Sequence, residues 1–171
     1  MELIKNNLYT ILLKRRTETR CGILLSFGRE WLLLRHNTVD YVLDGYILIR
    51  RKYIKDIIRG EHEIFRESVI RLKLTAEEFD KTYPEFDEIL DALHYLLQHE
   101  TVIQFDFHDD SVCYIGKIKN VYAKTVRIVN LDPKGNWEDE ESTQIEKIRT
   151  IEFNNDYINS LVAYNKWLNR Q

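Results

Sequence analysis

The side chains with the clearest chemical potential are two groups of cations. Arg50, Arg51 and Lys52 stand together inside "DGYILIRRKYIKDI" (44–57), and Lys14, Arg15 and Arg16, with Arg20 close behind, follow the apolar run "LYTILL". Cations grouped this way contact phosphates, and such binding is salt-sensitive and poor in sequence preference. Tyr46 and Tyr53 flank the second group and would offer π faces on which bases stack. The same residues also suit plain hairpin tips, where Lys and Arg meet water and deter edge-to-edge aggregation. The opposite pole is "EDEE" (138–141), which would draw a basic partner. It lacks the alternating ligands and central glycine of a calcium loop. Basic hairpins of one domain could meet the acidic hairpin of another, within or between chains. A head-to-tail contact between chains makes rings or filaments, and a twofold one makes a dimer.

Other reactive residue types do not assemble into a set. His94 and His99 are five apart on an expected helix, which separates their faces. "EHE" (61–63) and "HDD" (108–110) hold ligand types without a partner set, Ser26 and Ser111 lack a base or a nucleophile-elbow motif, and no glycine-rich phosphate loop occurs. The expectation is a protein that is not an enzyme and holds no metal and no small-molecule cofactor. Cys21 and Cys113 lack zinc-site spacing and read as two buried thiols.

Charge is divided along the chain. Residues 1–60 carry 12 Lys and Arg against 6 Asp and Glu, whereas residues 61–171 carry 13 against 22. The first part, at +6, would favour a polyanion and the second, at −9, would repel one. Twelve per cent aromatic residues argue against disorder, and only two Pro and six Gly argue against flexible linkers. No apolar run reaches the roughly 18 residues of a membrane span, and "MELIKNNLYT" lacks the pattern of a secretory signal. A cytoplasmic protein with no membrane association is expected.

Elements able to position these residues follow from periodicity. Strands are expected at 8–16, 20–27, 31–36, 46–49 and 53–58, with "NTVDYVLDG" as a connection. A second set is expected at 101–110, 112–121, 123–131 and 143–153, with a turn at "DPKGN" (132–136). Between them, Phe86, Ile89, Leu90, Leu93, Leu96 and Leu97 form one face of a helix over 85–99, with Pro84 at its start. "SVIRLKL" (68–74) reads as a further strand, and Thr75 with Glu78 as a capped helical turn. The C-terminal segment reads as a helix capped by Asn155 or Asp156. Its stripe of Tyr157, Leu161, Tyr164 and Leu168 is the expected core face.

A constant offset of 94 relates the two halves. Tyr9, Ile11 and Leu13 fall on Ile103, Phe105 and Phe107; Gly22 falls on Gly116; Leu24 on Ile118; Phe27 on Val121. Leu32 and Leu34 fall on Val126 and Ile128, and Ile54 and Ile57 on Ile148 and Ile151. A mid-strand glycine shared by both copies marks a bend or a close approach. The offset therefore points to an internal repeat.

"CGILLSFGREWLLL" at Gly22, Leu24 and Phe27, and "LIRRKYI" at Ile49, Arg50 and Ile54, resemble the two-part signature of Sm-like proteins. The resemblance covers about 50 residues of the first half and reaches the second through the offset. It implies a strongly bent five-stranded barrel. In that family an asparagine and an arginine together hold an RNA base. Here Arg50 matches the arginine, Trp31 or Leu32 stands in the asparagine's place, Gly28 in the aspartate's and Arg51 in the glycine's. Gln144 falls where the second copy would carry its arginine. The layout is also similar to small uncharacterised bacterial proteins with duplicated barrels.

The expected protein is mainly β. Two Sm-like barrels, 1–60 and 101–154, would be joined by a connector over 61–100 with a bridging helix, and 155–171 would form a C-terminal helix. Its expected role is non-catalytic binding of a protein partner, or self-association into an oligomer. The alternative is weak binding of RNA or single-stranded nucleic acid through Lys14, Arg15, Arg16, Arg20, Arg50, Arg51 and Lys52.

Overall fold

The computed structural model describes residues 2–15, 17–75, 81–108 and 113–170. The chain divides into two compact units, Met1–Asp87 and Glu88–Gln171. Both are mainly β.

The first unit contains β1 (Leu8–Leu13), β2 (Thr19–Phe27), β3 (Trp31–Val39), β4 (Val42–Arg50), β5 (Ile54–Ile58) and α1 (Glu61–Arg71). All its strand pairs are antiparallel, in the order β5-β1-β2-β3-β4. Alternation builds the core: Tyr9, Ile11, Leu13, Leu24, Leu32, Leu34, Ile47 and Ile49 share one face and form one buried cluster. The other face is also apolar. Leu8, Cys21 and Ile23 pack there against Ile70 of α1, with Leu25, Leu43 and Leu74 at the margin.

The second unit contains α2 (Ile89–Gln98), β6 (Val102–Phe107), β7 (Cys113–Val121), β8 (Thr125–Leu131), β9 (Trp137–Gln144), β10 (Ile148–Phe153) and α3 (Asp156–Leu168). Its strand order is β10-β6-β7-β8-β9. The two orders match: in each unit the last strand lies beside the first. The registers match as well. Gly22 faces His36 and Gly116 faces Asn130; Ile11 faces Ile57 and Phe105 faces Ile151; Trp31 faces Arg50 and Thr125 faces Gln144. Every pair obeys the 94-residue offset. So do the bulges at Leu24/Ser26 and Ile118/Asn120, and the 3-10 turns Arg51–Tyr53 and Ile145–Lys147.

Gly22 and Gly116 are required by close approach. A Cβ on Gly22 would stand 2.4 Å from Arg35 O, and one on Gly116 2.1 Å from Val129 O. No side chain fits there.

The structure corrects several expectations. The sheets are open, and closed barrels are not formed. The 3-10 turn after β4 carries the chain across to β1, so β5 pairs with β1 and stands at the opposite end of the order from β4. Residues 37–45 are not a connection, because β3 and β4 run through them to a tight turn at Asp40 and Tyr41. The strand expected at 68–74 is the end of α1 and the residues after it. Apolar periodicity does not mark that helix, because its buried face is Glu63, Glu67 and Ile70, mostly carboxylate rather than aliphatic. Its start is capped by the Glu63 carboxylate, which accepts from Gly60 N–H at 2.8 Å.

The helix expected over 85–99 begins at Ile89, where Asp91 accepts from Glu88 N–H at 2.8 Å. It buries Ala92, Leu93 and Leu96 and packs on β7. Phe86 and Pro84 instead belong to the first unit. Phe86 O accepts from the N–H groups of Glu30 and Trp31, and Pro84 O accepts from the Ser26 hydroxyl at 2.7 Å. Gly28 lies where Phe86 backbone passes, 2.4 Å from a Cβ it would carry.

Asn155, not Asp156, caps α3, accepting from Ile158 N–H at 2.9 Å. The buried face of α3 is Ile158 with Leu161 and Val162. Tyr157, Tyr164 and Leu168 of the expected stripe are exposed. Cys21 is buried as expected, but Cys113 is exposed. The capped turn expected at Thr75 and Glu78 falls largely on residues outside those described. Among the described residues no helix is long and apolar enough to cross a membrane.

Candidate interaction site

Six of the seven cations singled out from sequence separate into three places, and Arg16 lies outside the described residues. Lys14, at the end of β1, meets the turn after β4. Its Nζ donates to Lys52 O at 2.7 Å and its backbone N–H to Tyr53 O at 2.8 Å. The two basic turns thus adjoin. Arg15 is exposed beside them at φ 58°. Lys52 lies over the Tyr53 ring, 4.7 Å from its centroid.

Arg50 and Arg51 turn the other way, toward the β2–β3 hairpin. Arg51 Nη1 donates to Gly28 O at 3.0 Å, and its backbone N–H to Glu30 O at 2.8 Å. Arg50 is the chief correction: it is 3% exposed and not part of a surface patch. Its guanidinium lies 3.5 Å from the Glu30 carboxylate and 5.8 Å from the centroids of both Trp31 and Tyr53. The reason is register. Arg50 is the last residue of β4, directly opposite Trp31 and next to the core residue Ile49, so the pleat places it beside Trp31 on the other face of the sheet rather than out at the turn. Arg20 is on β2 with Glu18 at 3.3 Å.

Neither proposed stacking residue stands as an open face beside the cations. Tyr53 already has Arg50 and Lys52 over it. Tyr46 lies elsewhere, with Arg35 4.6 Å from its centroid and the Tyr83 hydroxyl 3.3 Å from its own. A cation that sequence reasoning passed over completes the group. Lys55 is exposed on β5, next to the Lys14–Lys52 turns.

β5 has one strand neighbour, β1, and β9 has one, β8. β9 is "WEDEESTQ", and residues 137–142 are all exposed. The acidic run is therefore a strand edge and not the hairpin tip expected. Arg127 on β8 answers part of its charge, lying 3.6 Å from Glu140. Lys117 covers the Trp137 ring at 5.7 Å. The expected turn before it is built as read: Asp132 Oδ1 accepts from the N–H groups of Lys134 and Asn136 at 2.8 and 2.7 Å, and Gly135 adopts φ 78°.

Among the described residues, two strands therefore lack a second strand neighbour: the acidic β9, and β5, which carries Lys55 and Asp56 and has Lys14, Arg15 and Lys52 in the turns beside its start. An unpaired strand edge offers a ladder of N–H and C=O groups to any extended chain, and flanking charge selects which chain approaches.

No family model, no curated protein and no solved structure matches the chain.

Proposed function

We propose that the protein is a non-catalytic self-assembling module in which β9 of one copy adds beside β5 of the next. The observation that carries this reading is the pair of single-neighbour edges, one acidic along β9 and the other, β5, bordered by the cations Lys14, Arg15, Lys52 and Lys55 against the single carboxylate of Asp56. Backbone pairing would supply the contact, and charge would set polarity and partner choice. Such a contact is heterologous, so it closes into a ring or continues as a filament. The shared order, registers, bulges and 3-10 turns support reading the units as Sm-like copies of one ancestral repeat. Under the 94-residue offset β5 corresponds to β10 and β9 to β4, so the two free edges are the two different ends of the shared strand order.

The test is sedimentation velocity from low to high salt, after nuclease treatment. Assemblies are expected at low salt and should dissociate as salt screens the charged edges. E138K/E140K alone and K52E/K55E alone should each be monomeric, and their mixture should assemble again. A chain that stays monomeric at every salt concentration overturns the reading.

Weak binding of single-stranded nucleic acid is the second reading, favoured by the junction of Lys14 with Lys52. Under it, a labelled oligonucleotide binds the native chain, and K14E/K52E abolishes that binding.

A further inference from the structure

The second face of the first sheet is incompletely covered. α1 lies over Leu8 and Ile23 through Ile70, but the helix ends at Arg71. Beyond it a cavity of about 160 Å³ opens against the sheet. Ile23, Leu25, Leu43 and Leu74 make its apolar lining, and Arg35, Tyr46, Lys81 and Tyr83 complete it. Among the described residues that line it, none is a carboxylate.

The polar side is organised. Arg35 Nη1 donates to Gly45 O at 2.7 Å, and the guanidinium stacks 4.6 Å from the Tyr46 centroid. Tyr83 holds Tyr46 in turn, ring to ring at 6.0 Å and hydroxyl to hydroxyl at 3.3 Å. One carbonyl uses one of five guanidinium N–H groups. The remainder can serve an anion, and a planar guanidinium already held by an aromatic face loses little freedom in doing so.

Size limits the guest. A dry cavity of about 150 Å³ lined by aliphatic side chains accepts a benzene-sized molecule. A few placed polar groups on an otherwise apolar pocket set orientation and specificity.

We infer that this cavity binds a small monocarboxylate with a compact apolar body, about one aromatic ring in size. The ring or branched tail would rest on Leu25, Leu43 and Leu74, and the carboxylate would face Arg35 and Lys81. The site stands independently of strand-edge assembly, since no residue of either edge lines it.

The probe is phenylacetate, titrated into the full-length native chain by calorimetry and by amide chemical shifts. Phenylacetamide serves as the neutral isostere. Phenylacetate is expected to bind at millimolar concentration or below, shifting the amides of Leu25, Leu43 and Gly45. The amide should bind about tenfold weaker or worse, because a charge-assisted hydrogen bond is lost. R35Q should reduce that preference while retaining the apolar contact, and R35Q/K81Q should remove it. L43W should fill the cavity and block both compounds. R35Q leaves the floor intact and keeps the test decisive if L43W fails to fold. No binding of phenylacetate, equal binding of acid and amide to the native chain, or an unchanged preference in R35Q overturns the inference.

Discussion

Glu67→Gln should destabilise the first unit by about 3 kcal/mol near neutral pH. Glu67 is the hub that fastens α1 to the sheet. Its carboxylate accepts from Leu8 N–H at 2.8 Å, from Arg59 Nη1 at 2.7 Å and from Arg71 Nε at 2.8 Å. Arg71 is well exposed, so that pair contributes about 0.5 kcal/mol or less. Leu8 and Arg59 are different. The first is a buried strand-end amide, and the second a largely buried charge on the same oxygen. Hydrogen bonds to a charged acceptor contribute about 1.5–3 kcal/mol each. A glutamine can recover one neutral bond, at about 1 kcal/mol, but presents an NH2 group to one set of donors. The balance is a loss of about 3 kcal/mol.

The pH dependence provides a second check. Burial pushes the Glu67 carboxyl up, but the bonds from Leu8 N–H, Arg71 and Arg59, with the Arg59 charge, outweigh it and hold the group below the ordinary carboxylate range. A folded-state value below the unfolded one means the stabilisation is present above the unfolded value. It is lost as pH falls through the folded one. The gap between native and variant should therefore be full at pH 7 and should shrink in the acid range. The assay is denaturant unfolding read on Trp31 fluorescence in a W137F/W167F background. Trp31 is fully buried in the first unit, whereas Trp137 and Trp167 are exposed. A loss under about 1 kcal/mol at pH 7, or a gap that persists undiminished in acid, would refute the reasoning.

Three shorter predictions follow from the same structure. Arg50→Glu would place a carboxylate beside Glu30 in a buried site and should cost about 3–5 kcal/mol, whereas Lys52→Glu should stay within about 0.5 kcal/mol; parallel urea melts separate them. Gly116→Ala forces a methyl group to within 2.1 Å of Val129 O, so it should cost about 3 kcal/mol or more, visible as a lowered Tm. His36 should remain neutral far into acid. Burial first, and the Arg20 charge second, push its imidazole down to about 4, while Asp44 opposes them. The unfolded chain then binds the extra proton between about pH 6.5 and 4, so the stabilisation is full above that window and is lost on acidification through it. Titration of its ring proton by NMR would show a midpoint near 6.5 if the burial argument were mistaken.

Much of the fold was legible because strand alternation is local. Tyr9, Ile11 and Leu13 alternate in the sequence and are one face of the core in the structure. The 94-residue offset, read from apolar matches and two glycines, became concrete only as shared registers and bulges. Where burial is done by carboxylates, periodicity was blind. Glu63 and Glu67 are the buried stripe of α1, and nothing local distinguishes a carboxylate that will meet Thr10, Leu8 and Arg59 from one that will meet water.

The amino-acid sequence by itself determined a mainly β chain whose first part is basic and whose remainder is acidic. These properties follow from composition and near-neighbour spacing. Tertiary structure alone decided which charges are available. Three adjacent cations read as one patch, yet the pleat at the end of β4 buries Arg50 against Glu30, sends Arg51 to Gly28 and leaves Lys52 beside Lys14. It also decided that the acidic run is an edge and that a cavity opens where α1 stops. Edges and cavities depend on which elements fail to meet, and that is a property of the whole arrangement and of no single segment.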